Sequence, residues 1–216
     1  MRTFSFSDLL FLLTAVRWTV LVTLISLVLG APLALAMAVM RTSGSRAARW
    51  LAGSLTQLVQ GIPLLGLLVL FYFGLPMLLK FNMPTIIAVS IAYSVYTGAF
   101  LGDIWRGSIL AVKATQWEAA ACLGITRWQQ FRYVVAPQAV RAAIPPTVGF
   151  LVQLIKGTSL ASVVGMVELA RAGQIASAAT FQPLLIYSIV AVIYFAICLP
   201  LTTWSRSLEV RFAGAR

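Results

Sequence analysis

The sequence predicts an all-α integral membrane protein with five transmembrane helices and a two-helix loop on the cytoplasmic side. Three observations carry this. Of 216 residues, 61% are hydrophobic and only 10% charged, with a mean hydropathy of +0.96; soluble domains carry about 25% charged residues. The charges leave windows of about 20 apolar residues, the length a helix needs to cross a bilayer. One polar insert, at about 115–136, interrupts the apolar run.

The first span is placed at about 18–40, between Arg17 and Arg41. It is too long for the apolar region of a signal peptide, and Arg17 falls in the wrong place for one. The run 4–16 is too short to span, so it is expected to lie along the interface as a separate amphipathic helix. The second span, about 52–76, contains Gln60-Gly61-Ile62-Pro63, which is expected to break it. The third is placed at 84–103, the fourth at 142–166 with Lys156 inside it, and the fifth at 182–204. No internal repeat or linker is visible, so a single domain over 1–216 is expected.

The net charge is +11. Eleven of the sixteen Lys and Arg residues fall on one side of this topology: Arg41, Arg46 and Arg49, then Arg106, Lys113, Arg127, Arg132 and Arg141, then Arg206, Arg211 and Arg216. The positive-inside rule makes that side cytoplasmic, with the N-terminus outside and the C-terminus inside. The basic excess therefore reads as topology and contact with anionic lipid, not nucleic-acid binding. Histidine is absent, and Cys122 and Cys198 have no ligand spacing. That removes bis-histidine haem and most transition-metal sites, and no metal is expected.

Small residues recur every four positions at Gly30, Ala34 and Ala38 and at Ser90, Ser94, Gly98 and Gly102. Such stripes let two helices approach closely. Packing within the chain is the favoured reading, over a dimer seam.

In the insert, Thr115 and Glu118 have the spacing of a capping box, as do Thr126 and Gln129. Gly124 between them suits a left-handed corner, and Pro137 is expected to end the second helix. Trp117, Ala121, Gly124, Trp128, Phe131 and Val135 are expected to form one apolar face. Two readings are open: a hairpin lying on the membrane surface, or an element docking into a cytoplasmic protein. Alanine at 119–121 favours the second, because small side chains allow close approach.

Polar residues inside the spans are candidate path residues. Gln57 and Gln60 share a helical face next to the break before Pro63. Gln153 and Lys156 share a face of the fourth span, followed by Thr158 and Ser159. Glu168 and Arg171, at its outer end, are read as a gate or a rim ion pair.

The insert also resembles the signature loop of ATP-binding-cassette (ABC) importer permeases. The pattern is Glu-Ala-Ala, three residues, Gly, nine residues, an aliphatic, one residue, Leu-Pro. Glu118, Ala119, Ala120, Gly124, Val134 and Pro137 fit it, while Ala136 stands where Leu is usual. The segments 71-FYFGLP-76, 103-DIWRGSI-109, 137-PQAVR-141, 158-TSLASVVG-165 and 168-ELARAGQ-174 narrow the resemblance to the polar amino-acid permeases, which carry histidine, arginine, glutamine, glutamate or opines. It implies the type I importer permease fold and a second permease chain, the same or related. It also implies two ABC ATP-binding subunits that bind ATP and Mg, and an extracytoplasmic amino-acid-binding protein, all at a bacterial inner membrane. The coupling residues would be Glu118, Ala119, Ala120 and Gly124. The chain has no GxxxxGK[ST] loop, so it is expected to be a transport subunit without enzymatic activity or a cofactor of its own.

Two departures from that pattern bear on the substrate. Gln60 and Ile62 stand where relatives have Arg and Thr, and Gly157 stands where they have an acid. Either Lys156 and its neighbouring hydroxyls hold a substrate carboxylate, or this chain is the non-binding half of a heterodimer. Backbone carbonyls satisfying Lys156 is a third reading. A channel or scaffold is the alternative class, told apart by co-purification of an ATPase. Asp103 is the lone candidate for ion coupling in a secondary transporter.

Overall fold

The computed structural model describes residues 3–80 and 82–213. Arg2 and Arg216 of the charge count lie outside them.

Helix α1, Phe6–Thr42, is about 55 Å long at ~1.5 Å per residue, well beyond the ~30 Å hydrocarbon core. It runs unbroken through Arg17, so 4–16 is not a separate interfacial helix. Ser5 and Asp8 fasten its start, the Ser5 N–H donating to Asp8 Oδ2 at 3.0 Å. No glycine or proline lies between Asp8 and Arg17 to stop it. Leu12 and Ala15 pack on Leu169, Ala172 and Ile186 near the other end of the chain, which gives this segment a protein partner.

Helix α2, Arg46–Gly61, opens at Ser45, whose Oγ accepts from the Ala48 N–H at 3.3 Å. It stops at Ile62 and Pro63, both extended, because proline lacks an N–H and pushes its predecessor out of the helical region. Helix α3, Leu64–Leu79, leaves at 100° to α2. The expected break is therefore a sharp bend. Helix α4, Thr85–Leu110, is the most enclosed, with two thirds of its apolar window buried.

The α1–α4 contact is the small-residue seam. A Cβ added at Gly30 would lie 2.7 Å from Thr97 Cβ and 2.9 Å from the Ser94 carbonyl oxygen. One at Gly98 would lie 2.8 Å from Leu33 Cβ, and one at Gly102 3.2 Å from the Ala34 carbonyl oxygen. Both stripes are used within the chain.

After α4 come the short helix α5, Ala114–Cys122, and the long helix α6, Arg127–Val164, whose last stretch Thr158–Val164 is 3-10. Gly165, at φ +81°, turns the chain into α7, Leu169–Thr180, which no sequence expectation covered. Helix α8, Pro183–Ala213, closes the fold against α6 and α7.

The expected stop before Pro137 does not occur. Two π turns, Leu70–Gly74 in α3 and Gln130–Val135 in α6, stand just before Pro76 and Pro137. A proline cannot donate to the carbonyl four residues back, and its ring crowds that carbonyl. A preceding π turn shifts the carbonyls and lets the helix continue. The insert's second helix and the fourth span are thus one element.

Candidate transport path and coupling element

The polar insert is built from α5, a glycine corner and the first turns of α6. Gly124 has φ +69°, which a side chain tolerates poorly. Thr126 and Gln129 form the second expected capping box: the Gln129 N–H donates to Thr126 Oγ1 at 3.3 Å, and the Thr126 N–H donates to Gln129 Oε1 at 2.9 Å. The first box does not form. Helix α5 starts at Ala114 with Lys113 at its N-cap position, so Thr115 already lies inside the first turn and is out of register for capping. Glu118 is exposed and, among the described residues, makes no hydrogen bond or ion pair.

The expected single apolar face is also divided. Ala120 and Val135 are buried and Trp117 and Phe131 half-buried, but Ala121 and Trp128 point outward, Trp128 being 69% exposed. The left-handed corner resets the phase between the helices, so one periodic stripe cannot continue through it. Ala119, Ala121, Leu123 and Gly124 join Glu118 on the open side. The buried Gln130 ties the corner down, its Nε2 donating to the Ile125 carbonyl at 2.9 Å.

Deeper in the molecule two helix breaks face each other. Leu64, just after the α2–α3 bend, would sit 3.2 Å from a Cβ at Gly157, where α6 changes to 3-10 geometry. The buried Tyr93 of α4 lies between, its hydroxyl donating to the Gly157 carbonyl at 2.7 Å. Irregular backbone at membrane depth is tolerated only against protein or a cavity. Gln153 and Lys156 are exposed beside this junction, and Gln57 and Gln60 are exposed on α2; none of the four side chains makes a hydrogen bond among the described residues. Pro63 marks the bend itself. The hydroxyls of Thr158 and Ser159 donate back to the carbonyls of Ile155 and Lys156 at 2.7 and 2.8 Å, and Thr158 is fully buried.

Glu168 is not at a rim. It is fully buried and caps α7, accepting from the N–H groups of Ala170 and Arg171 at 2.9 Å each and from the Tyr194 hydroxyl at 3.0 Å. The Leu169 N–H donates to Thr19 Oγ1 at 3.3 Å, so α1, α7 and α8 meet in one polar knot. The Arg171 guanidinium donates instead to Gln174 Oε1 at 2.8 Å, so the pair forms no gate. Asp103 is neutralised by Arg41 at 2.6 Å and faces Arg106 at 3.7 Å, which removes it as a free coupling acid. Sequence reading missed Tyr93 and Tyr194. The available signal was a tyrosine on an otherwise apolar span, which needs a partner for its hydroxyl.

Among the described residues, four helices are long and apolar enough to cross a membrane, or five if the bent α2–α3 pair is counted as one span. Together with facing helix breaks and an open helical hairpin beyond the spans, this defines a multi-pass helical permease. Residues 26–214 match the family of binding-protein-dependent transport system inner membrane components, and the chain belongs to that family. It is 32% identical over 204 residues to the probable amino-acid ABC transporter permease protein YckA of Bacillus subtilis, covering 94% of this chain and 89% of that one. It is 33% identical over 201 residues to the glutamine transport system permease protein GlnP of Escherichia coli, covering 93% and 92%. Among solved structures, an amino acid ABC transporter with histidines superposes with a TM-score of 0.88 at 28% identity, over 97% of this chain and all of that one. The MetNI methionine ABC transporter, at 16% identity and a TM-score of 0.71 over 95% and 99%, shares the fold. The chain is thus a multi-pass inner-membrane permease component with the type I importer fold.

Proposed function

We propose that this chain imports a polar amino acid by alternating access, driven by a separate ABC ATPase. Two permease chains, the same or related, would enclose the path, and two ATP-binding subunits would dock from the cytoplasm, binding and hydrolysing ATP with Mg. An extracytoplasmic binding protein would deliver the substrate. The N-terminus would face out and the C-terminus in, following the basic excess. The observation that carries the reading is the open side of α5 and its glycine corner, where Glu118, Ala119 and Gly124 stand exposed and unpartnered. Helix α5 packs on the π turn of α6, and α6 runs from there to the break at Gly157. A pull on α5 by a closing ATPase would move that break. ATP drives the change only because it binds the closed state preferentially.

The charge of the path bears on the substrate class. Lys156 is exposed and unpaired at the junction, with Gly157 in place of the acid that relatives carry. Among the described residues, Asp103 is paired with Arg41, Glu168 is closed within its knot, and Asp8 caps α1. A path with a lysine and no free carboxylate favours neutral or acidic amino acids, their carboxylate on Lys156, over cationic ones. A second reading rests on Thr158 and Ser159, whose hydroxyls are directed to their own helix: this chain would then be the non-binding half of a heterodimer.

Co-purification tests the reading. The chain should bring down an ABC ATPase subunit in stoichiometric amount, and the complex in vesicles should take up glutamine or glutamate in preference to arginine. Recovery without any ATPase would point to a channel or scaffold. Uptake that survives Lys156→Ala unchanged would remove Lys156 from the site.

A further inference from the structure

A polar pocket of about 400 Å³ lies away from the path, where α4 ends, α5 begins, α6 gathers into its long run and the last turns of α8 arrive. Lys113 and Arg141 line it from two different elements, together with Gln116 and Gln138. Gln138 Nε2 donates to Gln116 Oε1 at 3.3 Å and to the Val134 carbonyl at 2.8 Å, which ties the two walls together. Among the described residues neither cation makes an ion pair or hydrogen bond, and no acidic residue lines the pocket. Val112 and Phe212 make part of the wall apolar. Lys113 is three residues beyond the end of α4 at Leu110, a membrane-crossing helix, so the pocket lies at the depth where lipid phosphates stand.

We propose that this pocket binds the phosphate of an acidic phospholipid in the inner leaflet. Lys113 and Arg141 would hold the phosphate, and the Gln116 carboxamide would meet the polar headgroup. Phe212 and Val112 would lie against the first acyl carbons. Basic pockets between spans on the cytoplasmic side are suited to such headgroups. A carboxylate from a protein partner or a free phosphate would leave the apolar wall unused. The inner-leaflet assignment rests on the cytoplasmic placement proposed above; the chemistry of the pocket does not.

The test uses the purified full chain in neutral detergent, with thermal unfolding and retained lipid measured by native mass spectrometry. Phosphatidylglycerol should raise the melting temperature and stay bound, and phosphatidylcholine should do neither. Lys113→Gln/Arg141→Gln should bind phosphatidylglycerol about 30-fold more weakly, as expected for the loss of two cations from a lipid phosphate. Arg46→Gln/Arg206→Gln, an equal charge loss at exposed positions outside the pocket, should bind like wild type. Equal binding by the pocket variant, or equal loss in the control, would overturn the site. Stabilisation by inorganic phosphate at the same concentration would make it a small-anion site and overturn the lipid. The assay needs neither ATPase nor substrate, so its failure and that of the transport reading are separable.

Discussion

Gly30→Leu should destabilise the chain sharply, because the α1–α4 seam has no room for a side chain. The first added carbon alone would lie 2.7 Å from both Cβ and Cγ2 of Thr97 and 2.9 Å from a backbone oxygen. Restoring an ordinary carbon contact of about 3.7 Å requires the helices to part by about 1 Å, and the two close approaches further along, Gly98 on Leu33 and Gly102 on Ala34, would open with them. Overpacking of this kind costs about 1–3 kcal/mol, and leucine adds three carbons beyond the first, so the upper end applies. At about 2–4 °C per kcal/mol for a chain of this size, the melting temperature should fall by about 6–12 °C. Cys198 is buried and Cys122 exposed. In a Cys122→Ser background, a thiol-reactive dye would therefore report unfolding through Cys198. Gly53, which has nothing within 4 Å of its added Cβ, supplies the control: Gly53→Leu should melt within about 2 °C of wild type by the same scale. If Gly30→Leu also melted within 2 °C of wild type, the seam would not be the close contact described.

The polar knot makes its own prediction. Glu168→Gln cannot accept from both α7 amides and from Tyr194, so it should lose about 2–3 kcal/mol of stability through an impaired cap and an unmet buried donor; Tyr194→Phe should lose about 1 kcal/mol. Pro137→Ala restores a donor to the helix, so the π turn at Gln130–Val135 should relax toward α geometry, leaving stability unchanged or higher while shifting the register of α5 against α6. Transport per ATP hydrolysed in vesicles should then fall, and unchanged stoichiometry would show that the π turn plays no part in coupling. Gly157→Ala meets the flexible end of Leu64 at 3.2 Å and Tyr93 Cε1 at an ordinary 4.0 Å, so stability should change by less than about 1 kcal/mol.

Features governed by local sterics were legible in the sequence. The stripe at Gly30, Ala34 and Ala38 declared a close seam, Pro63 declared a break, and Gly124 declared a corner, because each residue type restricts or frees its own backbone. Features governed by distant partners were not. Glu168 looked like a rim residue because its burial depends on Thr19 and Tyr194, far away in sequence. Residues 4–16 looked interfacial because their partners in α7 and α8 come from the other end of the chain. Pro137 looked like a stop because a preceding π turn, invisible in composition, carries the helix past it. The cap of α5 lies two residues before the expected one, at Lys113 instead of Thr115, which was enough to turn Glu118 from a cap into a free carboxylate. That shift strengthens the case for a partner at α5.

The most direct measurement is binding-protein-stimulated ATP hydrolysis by the assembled transporter in vesicles, comparing wild type with Glu118→Lys and Gly124→Asp. If α5 and its corner dock into the ATPase, both variants should lose the stimulation, or fail to retain the ATPase, while the purified chain still inserts and melts within a few degrees of wild type. Full stimulation and full substrate uptake in both variants would contradict the account.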